Sequence, residues 1–545
     1  MKVLVIGLDA ATMDLIEPWA EAGHLPTLAA LMREGASARL LSTPNMHSAS
    51  AWTSILTGLN PGRHGLFVFS DRDFATGRQE FFKGGDREGE TIISHLARHG
   101  LSAGFLNVPM TYPAQSHPGG FMISGLDAPS LNERAFCPAE LRAEVLDKFP
   151  DYNFTPPGLG DLMSAGRIDE AIRAWMRLTE TQTAVAEYLM SERPTDFFMT
   201  VYTASDWGGH NLWERPEQSD TNSRESAKRD RAGALLSIYR ALDRAIARLL
   251  NHANEHTQVY VISDHGMGPH TCASYHLADW LESRGYMTRN RAAHNRPSLI
   301  SAGRSIARSL LPVSIRERLK SGIGSDRMKR LQSAEKDSFY SSIDWARTRA
   351  YTEPGRHVIN INLAGRNAQG IVPRSEYDQV CARIIKDLRQ WKDARGVRVV
   401  ERIARRDEVY FGPFQERASD LYVYWNPAAD LREPPAEVRA RGFWWSGDHR
   451  PEGILICRGE GIRSGARLNS TTVYDLLPTL MYAAQLPVPE NLDGSVKLEA
   501  CSDDFIARNP IRVHSSEQSH LSDASSLSDA EEELIEEKLR GLGYL

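Results

Sequence analysis

Three aspartates and three histidines stand out for the chemistry their types and spacing allow. Asp206 and His210 share the segment SDWGGH, and Asp264 is followed directly by His265 in SDHGMG. Asp9 ends the apolar opening MKVLVIGLD, and His449 follows Asp448 in GDHRPEG. Carboxylates are hard donors and imidazoles borderline ones. Together they suit Zn²⁺ or Mn²⁺ better than Mg²⁺ or Ca²⁺, which favour all-oxygen shells. One aspartate after a strand often serves only as a helix cap, and Asp9 alone would be read that way. An Asp-His combination at two separate places argues for a metal centre instead. His449 taken alone reads as a surface histidine, with Asp448 as an alternative ligand or as a partner that orients one.

A nucleophile accompanies this set. Residues 43–58, TPNMHSASAWTSILTG, read as a loop entering a short helix, with Ser48 near its start and Gly58 near its end. A hydroxyl at a helix N-terminus meets unpaired backbone N–H groups and the positive end of the dipole. Both favour an alkoxide and a bound phosphate, and a neighbouring metal ion would favour the alkoxide further. The competing reading makes Ser48 a simple N-cap, and Ser50 competes for either role.

The elements that must position these groups are legible as short apolar runs. Residues 3–7, 197–202 (FFMTVY), 259–262 (VYVI) and 454–457 (ILIC) read as strands buried on both faces, as in parallel sheets. Helical patterns over 168–190 and 232–250 alternate with them, which is the rhythm of an α/β domain. Three of the strands run into Asp9, Asp206 and Asp264, and in open α/β sheets ligands bind beyond the carboxyl ends of the strands. One rim could therefore gather the whole set. Asp206 and His210 are expected in a glycine-containing loop, and Gly266 and Gly268 are expected to free the backbone beside Asp264 and His265.

Composition narrows the class. The 545 residues carry 64 Lys and Arg against 70 Asp and Glu, a formal net charge of −6, and 41% are hydrophobic. The near balance argues against a global basic surface for nucleic acid, so no nucleic-acid partner is expected. No apolar run approaches the roughly 20 residues of a membrane span. The opening run is too short for a signal peptide and has no small-residue cleavage site. Five cysteines, odd in number and without CxxC spacing, fit a reducing cytoplasm and supply no cysteine zinc site.

Ligands spread from residue 9 to residue 449 imply one catalytic domain across most of the chain. The expected division is a first core part over 1–275, an insertion or cap over 276–414, a second core part over 415–500 and a tail over 501–545. Within the insertion, residues 289–332 hold eleven Lys or Arg against two acidic residues. They read as a solvated helical cover or as a weak contact with a membrane surface or an acidic partner. Residues 515–528 contain seven serines and read as a flexible linker. Residues 531–540 (EEELIEEKLR) read as a short terminal helix stopped by Gly541, an appendage outside the site.

At this point the chain resembles the alkaline phosphatase superfamily, and within it the type I phosphodiesterase/nucleotide pyrophosphatase family with its bacterial phosphohydrolase/phosphomutase-like members. VIGLDA, SASAWTSILTGLNPGRHGLF, SDWGGH, VISDHGMGPH, GDHRPEGILICRGEGI and TTVYDLLPTLMYAAQLPVPENLDG carry the resemblance, in the family's order over residues 3–494. NVPMTYP and RTRAYTEPGRHVININLAGRNAQGIV are similar to intervening family segments. The resemblance implies an α/β class fold, a three-layer α/β/α sandwich with a mostly parallel central sheet and a cap-like insertion. It also implies two divalent metal ions, zinc first and manganese second. Asp206, His210 and His449 would hold one ion. Asp9, Asp264 and His265 would hold the other, with Ser48 bound to it as nucleophile. Ala51 stands where the nucleotide pyrophosphatase branch often has a phosphate-binding Asn. No sulfatase signature is present.

The implied chemistry is hydrolysis of a small-molecule phosphate ester, monoester or diester, through a covalent seryl intermediate. Main-chain N–H groups after Ser48 are expected to bind a nonbridging oxygen. Two alternatives stay open: transfer of the group to an acceptor alcohol, as in a phosphomutase or phosphotransferase, and a non-catalytic metal-stabilised binding protein. Oligomeric state is not readable from the sequence.

Overall fold

The computed structural model describes residues 1–213, 223–290, 339–431, 433–435, 438, 445–515 and 527–542. The apolar runs form strands. First come β1 (Val3–Leu8) and β2 (Ala36–Leu41), then a hairpin of β3 (Ser70–Arg72) and β4 (Gln79–Phe81). β5 (Ala103–Val108), β6 (Phe121–Ser124), β7 (Phe136–Cys137), β8 (Phe197–Tyr202), β9 (Gln258–Ile262) and β10 (Gly266–Pro269) follow. The insertion supplies β11 (Ala350–Tyr351), β12 (Val358–Ile361), β13 (Val400–Arg405) and β14 (Leu421–Trp425). The chain closes with β15 (Gly447–Arg450), β16 (Glu452–Arg458), β17 (Ala466–Arg467), β18 (Thr471–Thr472), β19 (Val488–Pro489) and β20 (Val513–His514).

Ten of these strands make the central sheet, in the order β17-β2-β16-β9-β1-β8-β5-β6-β7 with β18 also on β2. β1 lies between β8 and β9 and is parallel to both, and β5 is parallel to β8 and β6. The sheet is thus mostly parallel, but β16 runs antiparallel to both β9 and β2. The ILIC run is buried as its sequence suggests; an apolar run reads the same in either strand direction.

Alternation along β1 builds two faces. Leu4, Ile6 and Leu8 join one core with the helices Met13–Glu21, Pro26–Glu34, Ile168–Glu192 and Ser223–Leu250. Val3 and Val5 join the other, with helices Ser48–Thr57, Ile92–Arg98 and Leu476–Ala483. The result is an α/β/α sandwich.

The insertion has its own core, including Leu277, Ile361, Ile384, Leu421 and Val423. Its four-stranded antiparallel sheet has the order β11-β12-β14-β13. β14 therefore belongs with the insertion, although the sequence places residues from 415 onward in the resumed core. Arg289 pairs with Asp279 and Glu282. The rest of the basic segment, 291–332, lies outside the described residues, as does 516–526 of the serine-rich stretch.

The terminal helix departs from expectation. It spans Asp529–Leu542, so Gly541 does not stop it. Ile535, Leu539 and Leu542 are buried in the first core. Lys538 donates to the carbonyls of Leu126 and Ala128, and Tyr112 Oη donates to Glu531. The helix is docked rather than a free appendage. Among the described residues no helix is long and apolar enough to cross a membrane.

Candidate active site

Three adjacent strands, β9, β1 and β8, deliver acidic residues to one end of the sheet. Asp9 follows β1, its N–H donating to Tyr202 O at 2.9 Å. Ala10 then takes a left-handed φ of 56°. Its N–H donates to Asp264 Oδ1 at 3.2 Å, which ties the ends of β1 and β9 together. Ser263 donates to Ala11 O and accepts from Ile454 N, bracing the same crossing.

Asp206 and His210 lie in the helix Ala204–Leu212, not in a loop. The spacing of four is one helical turn, so both side chains share a face. The glycines between them serve packing: a Cβ on Gly209 would lie 2.6 Å from Met267 Cγ.

His449 reaches the rim through a two-stranded ribbon. β15 pairs antiparallel with β10, placing His449 opposite Met267 and Asp448 opposite Gly268. Close approach decides the glycines here. A Cβ on Gly266 would sit 2.0 Å from Glu452 O, and one on Gly447 would sit 2.1 Å from Gly209 O. Neither Gly266 nor Gly268 has a positive φ, so their role is proximity and not left-handed freedom.

Two donor groups result, Asp206 with His210 and His449, and Asp9 with Asp206 and His265. Asp206 belongs to both. Its Oδ1 is 3.3 Å from His210 Nε2 and 3.5 Å from His449 Nε2. His265 Nε2 is 3.7 Å from Asp9 Oδ1 and 3.3 Å from Asp264 Oδ2. Asp264 Oδ2 is buried and accepts no hydrogen bond.

All three imidazoles are oriented the same way. Nδ1 faces a backbone carbonyl in each: Gly447 O at 3.1 Å for His210, Gly266 O at 3.1 Å for His265 and Met46 O at 2.7 Å for His449. Carbonyls only accept, so each Nδ1 carries a proton and each Nε2 is the nitrogen left to face inward. Two such nitrogens, on His210 and His449, are only 2.9 Å apart. At that distance a proton or a metal cation must lie between them. The donor set therefore fits a divalent cation, and imidazole with carboxylate fits zinc or manganese.

Ser48 lies within this set. It is the first residue of its helix, and the N-cap is His47, whose Nδ1 accepts from Ala49 N at 3.2 Å. The N-cap role suggested for Ser48 is therefore filled by another residue. Ser48 Oγ is 3.1 Å from His265 Nε2 and 3.4 Å from Asp9 Oδ1. Trp52 Nε1 holds the other oxygen of Asp9 at 3.3 Å. Ser50 points elsewhere, with Oγ 2.7 Å from Asn45 Oδ1 and 2.9 Å from Thr43 Oγ1. It braces the loop. The N–H groups of Ala49 and Ala51 are both engaged by His47, which removes them as ready donors to a phosphate oxygen.

Burial sets the electrostatics. It raises Asp9 well above the ordinary carboxylate range, and Asp264 and Asp206 add to that. Burial also acts to raise Asp206, but the facing His210 and His449 outweigh it and hold Asp206 well below that range. Burial pushes His265 down to about 4. Three carboxylates at one rim are balanced by protons or by cations, and a cation would release the proton that Asp9 otherwise keeps.

Other residues frame the rim. Asp448 does not face the donor groups. Its two oxygens lie 3.1 Å from His357 Nε2 and 3.7 Å from His270 Nε2, so it orients the ribbon and is not a ligand. His357 and Arg356 come from a turn of the insertion that bonds through Gly355 N to Ser274 O. Only the fold of the insertion brings that turn here. The one available hint was the GRH tripeptide, with Gly355 at a φ of 91°.

The fold and the rim define a phosphoric ester hydrolase of the alkaline phosphatase superfamily. Residues 3–447 match the type I phosphodiesterase/nucleotide pyrophosphatase family, and the chain belongs to it. A variant of alkaline phosphatase PafA is 14% identical with a TM-score of 0.51, covering 92% of this chain and 99% of that one. Phosphonoacetate hydrolase from Sinorhizobium meliloti 1021 is 15% identical, covering 88% and 94%, with a TM-score of 0.48. Murine ectonucleotide pyrophosphatase/phosphodiesterase 5 is 12% identical, covering 92% and 100%, with a TM-score of 0.47. No curated protein matches by sequence. Membership of a hydrolase family decides against a purely binding role.

Proposed function

We propose that this protein hydrolyses small-molecule phosphate esters through a covalent intermediate on Ser48, with two divalent cations, zinc ahead of manganese. The observation that carries the proposal is the convergence of inward-facing imidazole and carboxylate donors around Ser48 Oγ, 3.1 Å from His265 Nε2. Cations held by Asp206, His210 and His449 and by Asp9, Asp264 and His265, with Asp206 within reach of both, would neutralise phosphoryl charge and favour the serine alkoxide.

The protein's own groups do the rest. Trp52 pins one oxygen of Asp9, so the other faces Ser48. Ser48 Oγ attacks phosphorus as the bond from phosphorus to the leaving oxygen breaks, and the group is carried on the serine. Water then attacks the same phosphorus and frees Ser48. The walls exclude bulk water: Ser48, Asp9, Asp264 and His265 are fully buried, while the His449 side chain is 14% exposed and marks the approach. Arg356, paired with Glu353, and His357, facing Asp448, bring polar groups of the insertion beside that approach.

The test is hydrolysis of nitrophenyl phosphate and bis(nitrophenyl) phosphate by zinc-loaded and chelator-stripped protein, with and without an added acceptor alcohol. Loss of turnover on stripping and its return with zinc are expected, with water as acceptor. Turnover indifferent to the chelator would overturn the metal assignment, and a dominant alcohol adduct would reassign the reaction to transfer.

A further inference from the structure

A second group of histidines lies away from the rim and shares no residue with it. His95 and His99 are one turn apart at the end of helix Ile92–Arg98, and His514 approaches them from β20. The ring centroids of His95 and His514 are 6.0 Å apart, and those of His99 and His514 are 5.8 Å apart. His95 is 2% exposed and the other two are half-buried.

Their hydrogen bonding is unusual. His95 Nδ1, His99 Nε2 and His514 Nε2 are buried atoms with no hydrogen-bond partner. Buried polar atoms are nearly always satisfied, so three unsatisfied ring nitrogens in one cluster call for a ligand. The neighbouring cations are already engaged. Arg98 pairs with Glu90, and Arg512 donates to Gln485 O.

We infer that His95, His99 and His514 form a second, non-catalytic site for a divalent transition metal, zinc or a similar imidazole-seeking ion. Two histidines four apart on a helix are a recurrent zinc-binding pair because both side chains lie on one face. With metal–nitrogen distances of about 2.0–2.1 Å in a tetrahedral shell, two ligating imidazoles have centroids roughly 5 Å apart. The two observed spacings, both to His514, are within about 1 Å of that. The nitrogens do not yet converge as those of the catalytic groups do. Rotation of the rings about Cβ–Cγ, a soft two-fold torsion, re-aims the nitrogens, and a small change in χ1 brings the rings together. Three imidazoles leave a fourth position for water. The bound ion would tie β20 to helix Ile92–Arg98. Because β20 pairs with β19, it would anchor the segment that precedes residues 516–526.

The test counts zinc. Metal-stripped full-length protein is titrated with Zn²⁺ by calorimetry, and bound metal is measured after gel filtration. The His99→Gln/His514→Gln variant should bind one equivalent fewer than the parent and lose part of the zinc-dependent rise in melting temperature. Its hydrolysis of nitrophenyl phosphate with the catalytic centre loaded should be unchanged. The converse variant, Asp206→Asn/His265→Gln, should keep one equivalent and give the visible bands of tetrahedral cobalt when Co²⁺ replaces zinc. Equal stoichiometry in the histidine variant and the parent would refute the site. If that variant does not fold, a converse variant that binds no zinc refutes it equally, and one that retains the tetrahedral cobalt spectrum sustains it.

Discussion

His210, His265 and His449 in the proposed catalytic rim and His95, His99 and His514 in the proposed outer site would be two answers to the same problem. In the rim every ring gives its Nδ1 proton to a backbone carbonyl, so its tautomer and aim are fixed before any ion arrives. In the outer cluster one buried nitrogen of each ring has no hydrogen-bond partner, so no carbonyl aims it. The rim also has carboxylates interleaved with its imidazoles, whereas the outer cluster has none among its three members. Orientation by the backbone yields a centre that reacting groups can use; three adaptable rings yield at most a clamp. The difference lies in what holds the ligands, since their residue type is the same.

The comparison can be broken most severely at Asp206, which belongs to both rim groups. Asp206→Asn should lower kcat/KM by at least about 10³-fold and weaken both rim cations, because a charge shared by two sites is lost at once. Metal analysis beside kinetics checks this, and loss of only one cation would limit Asp206 to one group. A smaller effect is expected at Asp448, which acts through the ribbon. Asp448→Asn should cost roughly 10- to 100-fold in activity or metal affinity, the range seen for residues that orient ligands.

A third kind of histidine sharpens the contrast by stability instead of activity. His64 is buried with both nitrogens satisfied, Nδ1 accepting from Leu66 N and Nε2 at 3.0 Å from Ser54 Oγ. Burial, helped by Arg87, lowers it from 6.5 to about 3. Between those values the unfolded chain binds a proton that the folded chain does not. Its contribution is intact above pH 6.5 and is lost as the pH falls toward 3, about 2 kcal/mol by pH 5. Melting temperatures across pH 4–7 should fall less steeply in His64→Gln than in the parent; equal slopes would deny His64 this role.

Much of the proposed rim was legible because its candidate donors sit at strand ends and at short spacings. Asp264-His265 and Asp206-x-x-x-His210 carry their chemistry locally, although the second is a helical turn and not the loop its glycines suggested. His449 was legible only through family resemblance, since an antiparallel ribbon that sets it opposite Met267, 182 positions away, brings it in. The sharing of Asp206 between two groups was hidden for the same reason. The direction of β16 left no trace, because a strand buried on both faces looks alike either way. The docking of the terminal helix did leave one: Ile535, Leu539 and Leu542 recur at helical spacing, an apolar stripe that a free appendage would not need. Arg356 and His357 required the fold of the whole insertion.

The central claim is that Ser48 carries the phosphoryl group. The most direct measurement is acid quenching of zinc-loaded protein during turnover of nitrophenyl phosphate, followed by mass mapping of its peptides. The account predicts a phosphoryl group on Ser48 within the peptide spanning residues 40–63, and none in Ser48→Ala, which should retain its metal but not its turnover. A Ser48→Ala protein that turns over normally, or a trapped group on another residue, would contradict it.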